Sequence, residues 1–162
     1  DIAVSAIYIT PERQQVVNFT EPYLAGGLVA LVKEGNSAIK SAEDLKGKKI
    51  SVQTGTKSVE WVNTHIPDVQ TVEVEKNQQM FNLVSIGRVD AAVTGKPAAF
   101  QYARTRGGVK ILPGSLTSEE YGIAVRKDEA ALVGEMNDAL KQLKADGSYQ
   151  QLVDKWFPNP VK

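Results

Sequence analysis

The stretch "DIAVSAIYITPERQQVVNFTEPY", residues 1–23, sets an arginine, Arg13, just past the first strand-like run, "DIAVSAI". A segment of this kind ordinarily arrives after a domain has begun, yet only seven residues precede Tyr8. The chain therefore has either an unusually compact start or a start inside a larger unit. Which of the two holds decides how the rest is read.

Composition sets the outer limits. The 162 residues are 42% apolar and 23% charged, enough for one globular domain or two small ones. Nineteen basic side chains balance nineteen acidic ones, so the electrostatic footprint of a nucleic-acid binder is missing. With no cysteine, disulfides, thiolate zinc sites and cysteine nucleophiles are excluded. The composition fits cytosol or periplasm equally. The longest apolar run, "LAGGLVALV" at 24–32, is too short to span a bilayer.

Strand-like and amphipathic helical runs alternate along the chain, as in an α/β domain with a mostly parallel sheet. "GLVALV" (27–32), "KISVQ" (49–53), "TVEVE" (71–75), "VDAAVT" (89–94) and "EEYGIAVRK" (119–127) read as strands. Ser41 is placed to cap a short helix "AEDL" that stops at Gly47, and Asn77 to cap a helix closing near Gly87. "KPAAFQYARTRG" (96–107) reads as a further helix, and residues 129–157 as two helices broken at Asp146 and Gly147. No short-period repeat and no low-complexity tract interrupts them.

Five segments in order carry a resemblance: "DIAVSAIYITPERQQVVNFTEPY", "LKGKKISVQTGTKS", "GRVDAAVTGKPAA", "YGIAVRKD" and "LKADGSYQQLVDKWF". Together they resemble the extracellular solute-binding proteins of polar amino-acid ABC transporters, the group of the glutamine- and histidine-binding proteins, from Asp1 to about Phe157. The resemblance implies an α/β fold of the periplasmic binding protein type II kind. Two lobes of parallel-rich sheet with flanking helices would close on a small ligand by a hinge. Residues 1–28 would belong to lobe one and the first crossing, 29–118 to a complete lobe two, and 119–162 to the second crossing and the C-terminal helices of lobe one. Since much of lobe one precedes the Asp1 motif in this family, lobe one is expected to be incomplete, which answers the question of the compact start.

The resemblance also assigns roles. Arg13 matches the arginine that grips a ligand carboxylate, where a planar guanidinium offers two parallel donors; outside the motif set it would read as a solvated surface arginine. Thr56, Lys57 and Ser58 open a helix whose unpaired N–H groups suit the same carboxylate, although plain capping is the commoner fate of such residues. Gln53 matches a position facing the ligand side chain, or else is an exposed strand residue. After "DAAVT" the family places an aspartate against the ligand ammonium; here Thr94 is followed by Gly95. An ammonium buried without that counter-charge is costly, so an anion lacking an amino group fits better. Ala6 and Tyr8 replace small residues, with Tyr8 either stacking on the ligand or packing at the hinge.

His65, at a helix end, reads as a dipole or solvent contact, and Trp61 and Trp156 as packing residues. Glu119 and Glu120 read as an exposed acidic pair. The sequence calls for no catalytic residue, no metal and no cofactor. The expected partners are a carboxylate or amino-acid ligand and the membrane subunits of an ABC transporter, in the periplasm or outside the cell with the signal removed. Two other classes stay open: the ligand-binding module of a sensor, and a dehydratase-like enzyme on the same clamp. The helix faces carrying Leu140, Leu143, Leu152, Val153, Trp156 and Phe157 need cover, by element exchange in a homodimer or by a complementing N-terminal segment, and this form should bind ligand weakly.

Overall fold

The computed structural model describes residues 1–157; the last five residues of the expected C-terminal segment lie outside them. The chain forms two compact units, Asp1–Gly26 joined by the segment from Ser118, and Gly27–Thr117. The first begins with strand β1 (Ile2–Tyr8), helix α1 (Pro11–Val16), and short strands β2 (Val17–Phe19) and β3 (Leu24–Ala25). Local chemistry explains α1, which the strand reading of this stretch passes over. Thr10 caps it by accepting the Arg13 N–H, Pro11 supplies the fixed first turn, and Glu12 sits at the positive end of the dipole.

The second unit holds β4 (Leu28–Lys33), a 3₁₀ turn (Glu43–Leu45), β5 (Lys49–Gln53), α2 (Lys57–His65), β6 (Gln70–Val74), α3 (Asn77–Ser85), β7 (Ala91–Gly95), α4 (Lys96–Arg106) and β8 (Val109–Ile111). Its sheet runs β6-β5-β7-β4-β8. β5 is parallel to β6 and β7, while β4 is antiparallel to β7 and β8. The unbroken apolar run of β4 follows from burial on both faces. Leu28, Ala30 and Val32 pack with Val62 and Ile66 of α2 on one side; Val29 and Leu31 pack with Met80, Phe81 and Val84 of α3 and Tyr102 of α4 on the other.

Two caps differ from the sequence reading. Asn77 is the first helical residue rather than the cap: Lys76 occupies the cap position, and its N–H donates to Gln79 Oε1. Near the 3₁₀ turn it is Asp44 that accepts the Lys40 and Ser41 N–H groups at 2.9 and 3.1 Å, and these bonds hold its carboxyl below the usual range. The Ser41 hydroxyl donates to the same Asp44 carboxylate at 3.4 Å.

Gly27 opens the second unit with φ +101°, and a Cβ there would lie 2.2 Å from the Thr117 carbonyl oxygen. The close approach is used: Leu28 N–H donates to Thr117 Oγ1 at 2.8 Å and Lys96 N–H to Gly27 C=O at 3.0 Å. Gly27→Ala combines a forbidden φ with overlap and is expected to cost about 2–5 kcal/mol in a urea titration of the chain. A midpoint equal to that of the unmodified chain would refute this.

The first unit is completed by β9 (Glu120–Arg126), α5 (Ala130–Ala145) and α6 (Ser148–Trp156). β9 is its centre, paired antiparallel with β1, β2 and β3, and its residues Tyr121–Val125 are buried. Thr20 ties the sheet inward, its Oγ1 accepting the Ile123 N–H at 3.1 Å. β1 forms one edge of the sheet and its apolar side chains lie open, with Ile2 51% and Val4 59% exposed. On α5 and α6, Leu143, Leu152 and Trp156 are exposed, so Trp156 is not the packing residue expected of it, whereas Leu140, Val153 and Phe157 are half-buried.

Candidate functional site

In the second unit the chain runs from β5 outward to β6 and returns to β7 on the other side of β5. The helices that follow β5 and β7, α2 and α4, lie on opposite faces, so the loops leaving the carboxyl ends of these two strands diverge. Such a switch point opens a crevice at the strand ends. Gln53, Thr56, Lys57, Ser58, Thr94 and Gly95 all stand at this edge.

The turn between β5 and α2 is built to leave the helix start uncapped. Gly55 takes φ 72°, which lets the chain reverse. Thr56 occupies the cap position with extended dihedrals, but its hydroxyl donates to the Gln53 carbonyl at 2.7 Å instead of accepting from the helix. Thr56 therefore puts no side-chain cap on α2, and an acceptor arriving from outside meets the positive end of the helix. Ser58 is buried in the first turn. Gln53 is half-buried and its Nε2 donates to the Glu75 carbonyl at 3.0 Å.

At the end of β7, Thr94 is buried and pairs with Val29. Gly95 is both the last strand residue and the cap of α4, with φ −63° and ψ 140°, dihedrals open to any residue. Its backbone conformation does not itself require glycine. The next residue, Lys96, places its Nζ 5.8 Å from the Phe100 ring centroid.

In the first unit the structure brings Ala6, Tyr8 and Arg13 together. Arg13 is exposed on α1, and its Nη1 donates to the Tyr8 carbonyl at 3.0 Å. That bond orients the guanidinium while Nε and Nη2 keep the side-on fork a carboxylate prefers. Tyr8 stacks on Tyr121 with centroids 4.6 Å apart and an interplanar angle of 17°. Tyr121 donates to the Tyr8 hydroxyl at 3.1 Å, and burial, then that bond, push its phenol well up, so it serves as a neutral donor. Sequence reasoning missed Tyr23, Tyr121 and Tyr149, which surround this corner.

His65 is exposed and lies flat on Trp61, centroids 5.0 Å apart, and Trp61 packs against the core. Glu119 is half-buried rather than exposed. Among the described residues no cluster of three His, Asp or Glu could hold a metal, and no helix is long and apolar enough to cross a membrane.

Comparison with known proteins accords with this architecture. The profile of bacterial extracellular solute-binding proteins, family 3, matches residues 1–159, and the chain belongs to that family. It is 34% identical to the ABC transporter arginine-binding protein 1 of Escherichia coli over 98% of its own length and 66% of the relative's. To the L-cystine-binding protein TcyJ of Escherichia coli it is 33% identical, over 97% of this chain and 60% of the relative. Among solved structures, an ancestral cationic amino acid solute binding protein superposes with a TM-score of 0.86 at 40% identity, covering 97% of this chain and 69% of that one. The fold is thus that of the type II periplasmic amino-acid-binding proteins. The chain spans less than two thirds of the length of the curated relatives named here.

Proposed function

We propose that the chain is the solute receptor of an ABC transporter, working outside the cytoplasm, and that it binds a small carboxylate-bearing solute without covalent chemistry. The observation that carries this reading is the uncapped start of α2 at the switch point, an anion-binding arrangement with Lys57 in its first turn. Within the first unit Arg13, beside Tyr8 and Ala6, offers a bidentate partner for a carboxylate, and within the second Gln53, Thr94 and Gly95 stand at the same strand ends as the α2 turn. The arginine- and cystine-binding relatives support an amino-acid-like solute. Gly95 turns the preference toward ligands without an α-ammonium, because no carboxylate stands at that position. Calorimetry of the full-length protein against L-arginine, L-cystine, L-glutamine, succinate and glutarate is expected to give saturable binding, tighter for a dicarboxylate than for the amino acids. Failure of the whole panel sinks the receptor reading.

The exposed apolar side chains Ile2 and Val4 on β1, and Leu143, Leu152 and Trp156 on α5 and α6, support cover in the assembled receptor, by element exchange with a second copy or by a complementing segment. Light scattering of the 162-residue chain is expected to show association that grows with concentration. A stable monomer at high concentration with cooperative unfolding would mean that these faces need no cover.

A further inference from the structure

β1 does not run beside β9 as a plain strand. Ala3 lies opposite Ala124 and Ile7 opposite Gly122, so the three residues between them on β1 face Ile123 alone. The excess is taken up at Ala6, whose φ of 48° is left-handed, a conformation that an alanine side chain disfavours. Strain of this kind persists only where neighbouring groups hold it.

Tyr23 holds it. Its hydroxyl oxygen accepts the Ala6 N–H at 3.2 Å. Tyr23 is itself fixed along its backbone, its N–H donating to the Tyr121 carbonyl at 2.9 Å and its own carbonyl accepting from the Tyr149 hydroxyl at 2.5 Å. Past the bulge, Tyr8 stacks on Tyr121, and the Tyr8 carbonyl receives Arg13 Nη1. A continuous path therefore runs from Tyr149 on α6, through Tyr23 and the bulge, to the guanidinium.

We propose that Tyr23 is a positioning residue: by accepting the Ala6 amide proton it fixes the left-handed bulge of β1, and through Tyr8 it sets the place of the Arg13 guanidinium. The ligand role rests on the reading of Arg13 as the carboxylate partner. Tyr23 acts without touching the solute, as a residue that locks the rotamers and backbone behind a contact group does.

Two measurements on the full-length protein test this. In the ligand-free state, Tyr23→Phe is expected to speed hydrogen exchange of the Ala6 amide at least about 10-fold while the Ala124 and Val125 amides keep their protection. Unchanged Ala6 exchange overturns the lock. For binding, the probes are glutarate and L-arginine. Affinity for the tighter of the two is expected to fall about 10-fold in Tyr23→Phe and to recover when Ala6→Gly is added, since glycine adopts the left-handed bulge unaided. An unchanged affinity, or a loss that Ala6→Gly leaves in place, overturns the positioning role, because general damage to the fold would not be repaired at Ala6. If neither probe binds the unmodified protein, the functional reading and the ligand role of Tyr23 fall together, and Ala6 exchange still decides whether Tyr23 holds the bulge.

Discussion

Arg13→Ala is expected to weaken binding of the solute carboxylate at least about 30-fold, close to abolition in calorimetry. Removing one partner of a hydrogen-bonded charge pair costs about 2–5 kcal/mol, and each 1.4 kcal/mol is tenfold. Folding should be spared. Arg13 is exposed, its side chain bonds the Tyr8 carbonyl, and the capping bond to Thr10 comes from its backbone, which alanine retains. Arg13→Lys, which keeps the charge and loses the fork, is expected to be intermediate. Near-normal affinity in Arg13→Ala, with an unchanged thermal melt, would remove Arg13 from the site.

Gly95→Asp is expected to reverse the preference among ligands. The extended dihedrals at Gly95 are ones an aspartate adopts, and α4 would gain a side-chain cap worth a few tenths of a kcal/mol. The added carboxylate would stand at the end of β7, where an α-ammonium needs a counter-charge. L-arginine should bind at least about 10-fold tighter than to the unmodified protein, while a dicarboxylate such as glutarate should bind more weakly through like-charge repulsion. Equal effects on both ligands, or none, would show that Gly95 does not face the solute. So would tight binding of L-arginine, L-glutamine or L-cystine by the unmodified protein.

The second unit was largely legible in the sequence because its strands announce themselves. β4 and β7 are buried on both faces, so their apolar runs are unbroken, and the switch from those runs to helical spacing marks α2, α3 and α4. The break between α5 and α6 was equally plain, since Gly147 takes the left-handed turn that ends one helix and starts the next. Elements that depend on distant partners were not legible. β2 and β3 are three and two residues long and exist as strands only through β9, about a hundred residues away. The Lys76 N–H goes to the Gln79 side chain and the Lys40 and Ser41 N–H groups to Asp44, so the side chains that satisfy these donors are other than those that propensity favours at the helix starts. α1 carried its Thr-Pro-Glu signal in full, but the stretch drew attention as a ligand motif instead.

At the candidate site, the family resemblance singled out Arg13, the α2 turn and the bare Gly95 as candidates. The scaffold behind Arg13 was not legible. Nothing in the spacing of Tyr8, Tyr23, Tyr121 and Tyr149 shows that they meet, and the bulge at Ala6 arises from a register shift against β9 that no periodicity on β1 alone reveals. Such shifts come from pairing between strands far apart in sequence, so single-strand patterns are blind to them.

The central claim is that a solute carboxylate is held at the uncapped first turn of α2. A titration of the full-length, nitrogen-labelled protein with glutarate and with L-arginine, following the Lys57 and Ser58 amides, tests it most directly. The account predicts that both signals move together and saturate at one ligand concentration. Signals that stay still while binding is detected elsewhere on the protein would contradict it.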